Sequence, residues 1–286
     1  MTAYPRLPVL VGVDAADDAL LAVRVGTVEA RLHALPLHLV SGFVGPPPEV
    51  LPEAPWQPRD AARARMMRAA TAVNAAYPSI ALDARMVRGD LADVLIARSR
   101  QVSLVVVARG GMARHDGDAG AHRVASRSAV PVFVVPRSPA PPGGPVVVGL
   151  AGGAASDALL GFAFEEAALR GTPLRAVHLK SDVPGGRWDR FDPIRTMDEG
   201  ERLLAESLAG WPAKYPDVEI DRRVVHGPDV EHGIAALTHD ASMVVVAARG
   251  WLETGERVLG PITGGLLRDA CCPVAVIPAA DLVLTA

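Results

Sequence analysis

The chain has 286 residues, room for two α/β units of roughly 140 each. Half of its residues are hydrophobic, but only 3 Tyr, 5 Phe and 4 Trp are present, so its cores must be built from Ala, Val and Leu. A net charge of −3 provides no basic field, which excludes general nucleic-acid binding and electrostatic attachment to a membrane surface.

The two cysteines, Cys271 and Cys272, are adjacent. Neighbours do not close an ordinary disulfide, and two such ligands alone make a poor zinc site. Free thiols suit a reducing cytosol. The opening MTAYPRLPVLVGVD lacks a basic segment followed by a long apolar one, so no secretory signal is visible. No uninterrupted apolar run reaches the ~20 residues of a membrane helix. These features predict a soluble, cytoplasmic protein.

In chain order, residues 9–13 (VLVGV) read as a first strand ending at Asp14. Asp17 or Asp18 can cap a helix running to about Arg31, and 37–42 is a second strand. The proline-rich stretch 46–58 is loop. Residues 59–76 are helical, with Ala62, Met66, Ala69, Ala70 and Val73 spaced for one buried face. A third strand spans 80–87, and a helix over 91–100 turns Leu91, Val94 and Leu95 to the sheet. A strand at 104–108, a glycine-bearing loop and a strand at 132–135 complete the first half.

The segment 137–145, RSPAPPGGP, is a linker: proline-rich, glycine-containing and without periodicity. After it the pattern restarts. Val11-Gly12-Val13 returns as Val148-Gly149-Leu150, Tyr77-Pro78 as Tyr215-Pro216, and Gly89 as Gly227, about 137–138 residues on. Leu104–Ala108 returns as Met243–Ala247 and Pro131-Val132 as Pro273-Val274, at 139 and 142. A near-constant offset over so many landmarks is a tandem duplication, with three residues missing from the first copy's loop. The second copy's last unit is the clearest: two apolar runs, 243–246 and 274–277, flank a loop with Gly250, Gly255 and Gly260 and a helix over 262–270. Runs without alternation are strands buried on both faces, which calls for a parallel sheet covered by helices. The expected architecture is therefore two doubly wound, five-stranded parallel-sheet domains with right-handed crossovers. They occupy 1–136 and 146–278, joined by 137–145 and followed by a tail at 279–286.

Each half resembles a universal stress protein domain, of the adenine nucleotide alpha hydrolase-like fold, and the whole resembles the tandem form common in actinobacteria. The resemblance implies a first-strand aspartate that contacts adenosine, a Val-x-Gly turn beside the base, and a loop Gly-x2-Gly-x9-Gly-(Ser/Thr) around ribose and phosphates. The first half keeps Gly12, Asp14, Val87 and Gly89. Its loop keeps Gly111, but Ala108, Ala121 and His122 stand at the other pattern positions. The second half keeps Gly149, Val225, Gly227, Gly250 and Gly260. Ala247 replaces its first loop glycine, Pro261 its Ser/Thr, and Ala151 its aspartate. Neither half carries the full pattern. ATP is the implied ligand of a degenerate motif, weakly bound or confined to one half, and the Gly250-x9-Gly260 spacing favours the second.

The resemblance further implies a non-catalytic regulatory protein in stress adaptation, acting on a protein partner that the sequence does not name. The alternative is an interaction module with decayed sites. Its halves would pair through their last strands as a pseudo-dimer, and a homodimer is a further option. No nucleotide-binding Walker loop or Gly-x-Ser-x-Gly elbow is present, and Glu253 and Glu256 are the only carboxylates near the loop that a hydrolase could use. The competing readings are plainer: Asp14 as a helix cap, Gly250 and Gly260 as turn formers, and Arg59, Arg63, Arg65 and Arg68 as a solvated helix face. His226, His232 and His239 read as exposed rather than metal-binding, and both cysteines as core.

Overall fold

In the computed structural model of the chain the described residues are 7–14, 19–43, 57–110, 119–137, 143–150, 156–181, 193–227, 236–248 and 259–278. The chain divides into two compact units, Met1–Arg137 and Ser138–Ala286. Among the described residues no helix is long and apolar enough to cross a membrane.

The first unit runs β1 (Val9–Gly12), α1 (Ala19–Leu32), β2 (Leu37–Phe43), α2 (Gln57–Ala76), β3 (Leu82–Arg88), α3 (Leu91–Arg98), β4 (Leu104–Ala108), α4 (Ala119–Arg127) and β5 (Val132–Val135). Its strands lie in the order β3-β2-β1-β4-β5, all parallel. The expected unalternating strands are buried along their whole length: every residue of β1, β4 and β5 is buried. Order reverses between β1 and β4, and such switch points open a crevice at the carboxyl ends.

Most boundaries fall within two residues of the sequence reading, and two of the differences have a local reason. Ile80 is not in β3 because its amide bonds back to the Tyr77 carbonyl at 3.2 Å, closing a turn. Helix α3 stops early because Ser99 turns its hydroxyl to the Ile96 carbonyl at 2.8 Å, and a 3-10 turn over Ser99–Gln101 takes up the remainder.

The two faces of the first sheet are assigned by glycines. A Cβ on Gly26 of α1 would lie 2.4 Å from Val11 Cγ2, so α1 sits directly on the odd-numbered face of β1. On the other face, a Cβ on Gly12 would lie 2.9 Å from Leu95 Cδ1, and one on Gly42 would lie 3.0 Å from the Leu91 Cα. That face belongs to α3. Helix α2 packs on β2, β3 and α1, so it shares the α1 face. Ala62, Met66, Ala69 and Val73 form its buried stripe as expected, while Ala70 is only half-buried.

The second unit repeats the plan as β6 (Val146–Leu150), α5 (Ser156–Arg170), β7 (Leu174–Ser181), α6 (Pro193–Ser207), α7 (Trp211–Lys214), β8 (Ile220–Gly227), β9 (Met243–Ala247), α8 (Pro261–Asp269) and β10 (Val274–Ile277). Strand order is β8-β7-β6-β9-β10, again parallel. The helix expected between β8 and β9 falls largely outside the described residues. A feature with no counterpart in the sequence reading is the short α7. It stacks Trp211 and Tyr215 on the buried Phe164, with ring centroids 5.2 and 5.3 Å away. So much ring area on one helix compensates for a sheet otherwise built from small aliphatics.

The α1–β1 approach yields a stability prediction. Replacing Gly26 by Ala adds about 1 kcal/mol of helix propensity but drives a methyl into Val11, and overpacking costs about 1–3 kcal/mol. Urea unfolding of Gly26→Ala should show a lower midpoint; a higher one would mean that helix and sheet are less tightly apposed.

Candidate functional site

Each sheet, being parallel, directs its carboxyl ends to one edge of its own unit, and the sequence-predicted residues are distributed along those edges. In the first unit β1 ends at Gly12, but the Val13 amide still bonds to the Val40 carbonyl at 2.8 Å. This carries the chain straight to Asp14 at the switch point. Asp14 is only 9% exposed, so it is not a solvated loop carboxylate. Asp17 and Asp18 lie outside the described residues. Gly12 is covered by Leu95 and Leu91, and its missing side chain serves helix packing.

The turn after β3 is built as its sequence demands. Gly89 has φ +138°, a conformation that penalises any side chain, and its amide bonds to the Phe43 carbonyl at 2.9 Å. Val87 is half-buried beside it. Asp90 then caps α3 by accepting from the Asp93 amide at 3.2 Å. The same carboxylate takes a hydrogen bond from Arg123 of α4, so the first turn of α3 is tied to the helix that follows the glycine loop. Gly111 lies outside the described residues; Ala108 and Ala121 are buried.

In the second unit Gly149 lies half-buried in β6, in register with Val177. Val225 is half-buried, and Gly227 ends β8 opposite Ser181. Ala151 and Gly250 lie outside the described residues. Ala247 and Gly260, thirteen positions apart in sequence, are drawn together: the Thr263 hydroxyl donates to the Ala247 carbonyl at 3.0 Å. This bond pins the first turn of α8 to the tip of β9. Gly260 is the N-cap, with no side-chain capping bond, and Pro261 follows at the first helical position. The first-turn amides at Ile262 and Thr263 have no intrahelical acceptor by the geometry of a helix start. An uncapped helix N-terminus at a strand tip is suited to an anion.

Three polar residues at these tips were not singled out by sequence. Arg65 was read with its neighbours as a solvated face; Arg59, Arg63 and Arg68 are exposed, but Arg65 is half-buried. Burial lowers its pKa, the Asp14 carboxylate pulls it back up, and Arg68 adds a like charge. Ser41 in β2 is completely buried. Its counterpart in β7, His178, is also buried, and its Nδ1–H donates to the Leu150 carbonyl at 3.0 Å. Both are the fifth residue of their strands, LHLVSGF and LRAVHLKS. A polar residue at the same register in two otherwise apolar inner positions was the signal that could have found them.

Other candidates are placed elsewhere. His239 is exposed, with Nε2 3.9 Å from Cys271 Sγ, while His232 lies outside the described residues. Cys272 is fully buried, as expected for a core residue, but Cys271 is partly exposed. A groove of about 460 Å³ lined by Arg31, Ala34, Ser79 and Ile80 opens at the amino ends of β2 and β3, opposite the strand tips.

The Asp90 junction gives a clean pair of variants. Asp90→Ala should lose about 0.5–2 kcal/mol in urea unfolding, as caps do. Asp90→Asn keeps the cap and removes only the ion pair to Arg123, a half-exposed contact, and should lose less than half as much. Equal losses would show that the ion pair rather than the cap holds the turn.

Known proteins resemble the chain over nearly its whole length. The Universal stress protein family matches residues 6–136 and 144–278. Two universal stress proteins of Mycobacterium tuberculosis (strain H37Rv) are each 30% identical to it, over 283 and 291 residues, covering 94% of this chain and 96% of their own. Among solved structures, a universal stress protein of Archaeoglobus fulgidus shares the fold with a TM-score of 0.64, at 16% identity over 96% of this chain and 97% of that one.

Proposed function

Because the chain belongs to the universal stress protein family, we propose that it is a non-catalytic stress-adaptation protein whose strand tips are worn adenine-nucleotide sites. ATP binds weakly, and its phosphates bind in the second unit. The observation that carries this reading is the uncapped start of α8 at Gly260-Pro261, held against the tip of β9 by the Thr263–Ala247 bond. Phosphate oxygens there would accept from first-turn amides, favoured by the helix dipole. Ala247 and Pro261 weaken the site, the first by adding a methyl where the backbone approaches the sugar, the second by removing an N–H and a hydroxyl. The base end in the second unit lacks the carboxylate that Asp14 supplies in the first, with His178 buried close by.

The mechanism is conformational. Nucleotide stabilises one arrangement of the strand-tip loops, and a protein partner reads the stabilised surface. The carboxylates of the loop, Glu253 and Glu256, lie outside the described residues and carry no role here.

A melting experiment tests the reading. ATP at ten times its dissociation constant adds about 1.4 kcal/mol, which should raise the melting temperature of the full chain by about 2–5 °C. Gly260→Asp supplies a favoured N-cap, so stability should hold, but its carboxylate repels phosphate and should abolish the shift. A shift that survives Gly260→Asp and disappears in Asp14→Ala would move the site to the first unit. No shift at millimolar ATP in the unaltered chain would favour an interaction module without nucleotide.

A further inference from the structure

The two units differ sharply in charge. Residues 1–137 hold 16 arginines against 12 carboxylates, a net +4. Residues 138–286 hold 13 Lys and Arg against 20 carboxylates, a net −7, and the two values together give the −3 of the chain. The difference is plainest on one pair of equivalent helices, α2 and α6, each lying between the second and third strands of its unit. An offset of 138 relates them: it matches Tyr77 with Tyr215 beyond their ends, and the buried Ala62 and Met66 of α2 with the buried Gly200 and Leu204 of α6. At the same offset Arg63 matches Glu201 and Arg68 matches Glu206, and all four are exposed.

Helical periodicity shows how each outer face is built. On α2, Arg63 and Arg68 flank Met67, which is 61% exposed, and Asp60 is the helix's one carboxylate. On α6, Glu201 and Glu206 flank the exposed Ala205, which stands at the Met67 position; Asp198 adds a further carboxylate, and Arg202 pairs with Glu206 at 3.7 Å. Each face has an apolar middle and a charged rim, the usual make-up of a protein interface, and the two rims are opposite in sign. Two α2 faces laid together would set arginine against arginine, and two α6 faces glutamate against glutamate. Only α2 against α6 brings opposite charges together. We propose that the α2 face is a docking surface whose occupant is the α6 face of a second copy of this chain. Met67 then meets a small residue in the middle of the contact while the rims pair. The joined surfaces are unlike, so the contact closes as a dimer when two chains make it twice and propagates when they do not. A single helix pair falls short of the about 1,200 Å² of a stable interface, and exposed ion pairs are individually weak, so the association is weak and salt-dependent. It does not depend on whether the strand tips hold a nucleotide.

Sedimentation equilibrium of the full chain, without nucleotide, tests the assignment. In about 0.05 M salt the average mass should rise above that of one chain as concentration increases. Salt at about 0.5 M should weaken the association at least about tenfold, because screening then acts within a few ångströms. Arg63→Glu with Arg68→Glu should weaken it at least about tenfold at an unchanged melting temperature, and so should Glu201→Arg with Glu206→Arg. All four changes together should restore it. That fourfold variant keeps the net charge of −3, so overall charge does not explain a recovery. Should a reversal lower the melting temperature, the milder Arg63→Gln with Arg68→Gln should still weaken association several-fold. A chain that stays monomeric in low salt, an association that the reversals leave unchanged, or a fourfold variant that does not recover would each overturn the proposal.

Discussion

The inner strands of each parallel sheet are buried on both faces, and this constraint decides where chemistry can occur. Valine and leucine side chains fill the inner strands from end to end, so no polar group can be held along their length without a large desolvation penalty. Polar groups are therefore pushed to the strand ends, and in a parallel sheet all carboxyl ends share one edge. Asp14, Ser41, Gly89, His178, Ala247 and the start of α8 all lie at such edges for that reason. The glycines Gly12, Gly26 and Gly42 make the covering possible by letting helices approach within a methyl's width.

The duplicated plan has been worn differently in each copy. The first keeps the carboxylate of Asp14 at its switch point, within electrostatic reach of Arg65, and its glycine loop is short. The second has lost that carboxylate but keeps the loop spacing and a helix start pinned by Thr263. On the proposed reading, the first copy corresponds to the base end of a nucleotide site and the second to its phosphate end.

The fold was almost wholly legible from the sequence, because unalternating apolar runs, helical stripes and a constant repeat offset all report the same parallel architecture. Where it was not, local polar competition intervened, as at the Tyr77–Ile80 turn and the Ser99 hydroxyl. The site was legible only in its motif residues. Gly12 stood in the motif but serves packing, and Arg65 stood outside it because four arginines on one helix look alike in sequence. Which of them turns inward depends on the position of α2 over β2, a tertiary fact. Ser41 and His178 were hidden by being single residues. Only the matched registers of the two units bring them into relation.

The central claim is that ligand chemistry sits at the carboxyl edges of two related sheets. Amide chemical-shift mapping of the full chain during nucleotide titration tests it most directly. The account predicts perturbations confined to Val13, Asp14, Ser41 and Gly89 in the first unit and to Gly227, Ala247, Ile262 and Thr263 in the second. Perturbations centred instead on Arg31, Ala34 and Ile80, at the amino ends, would contradict it.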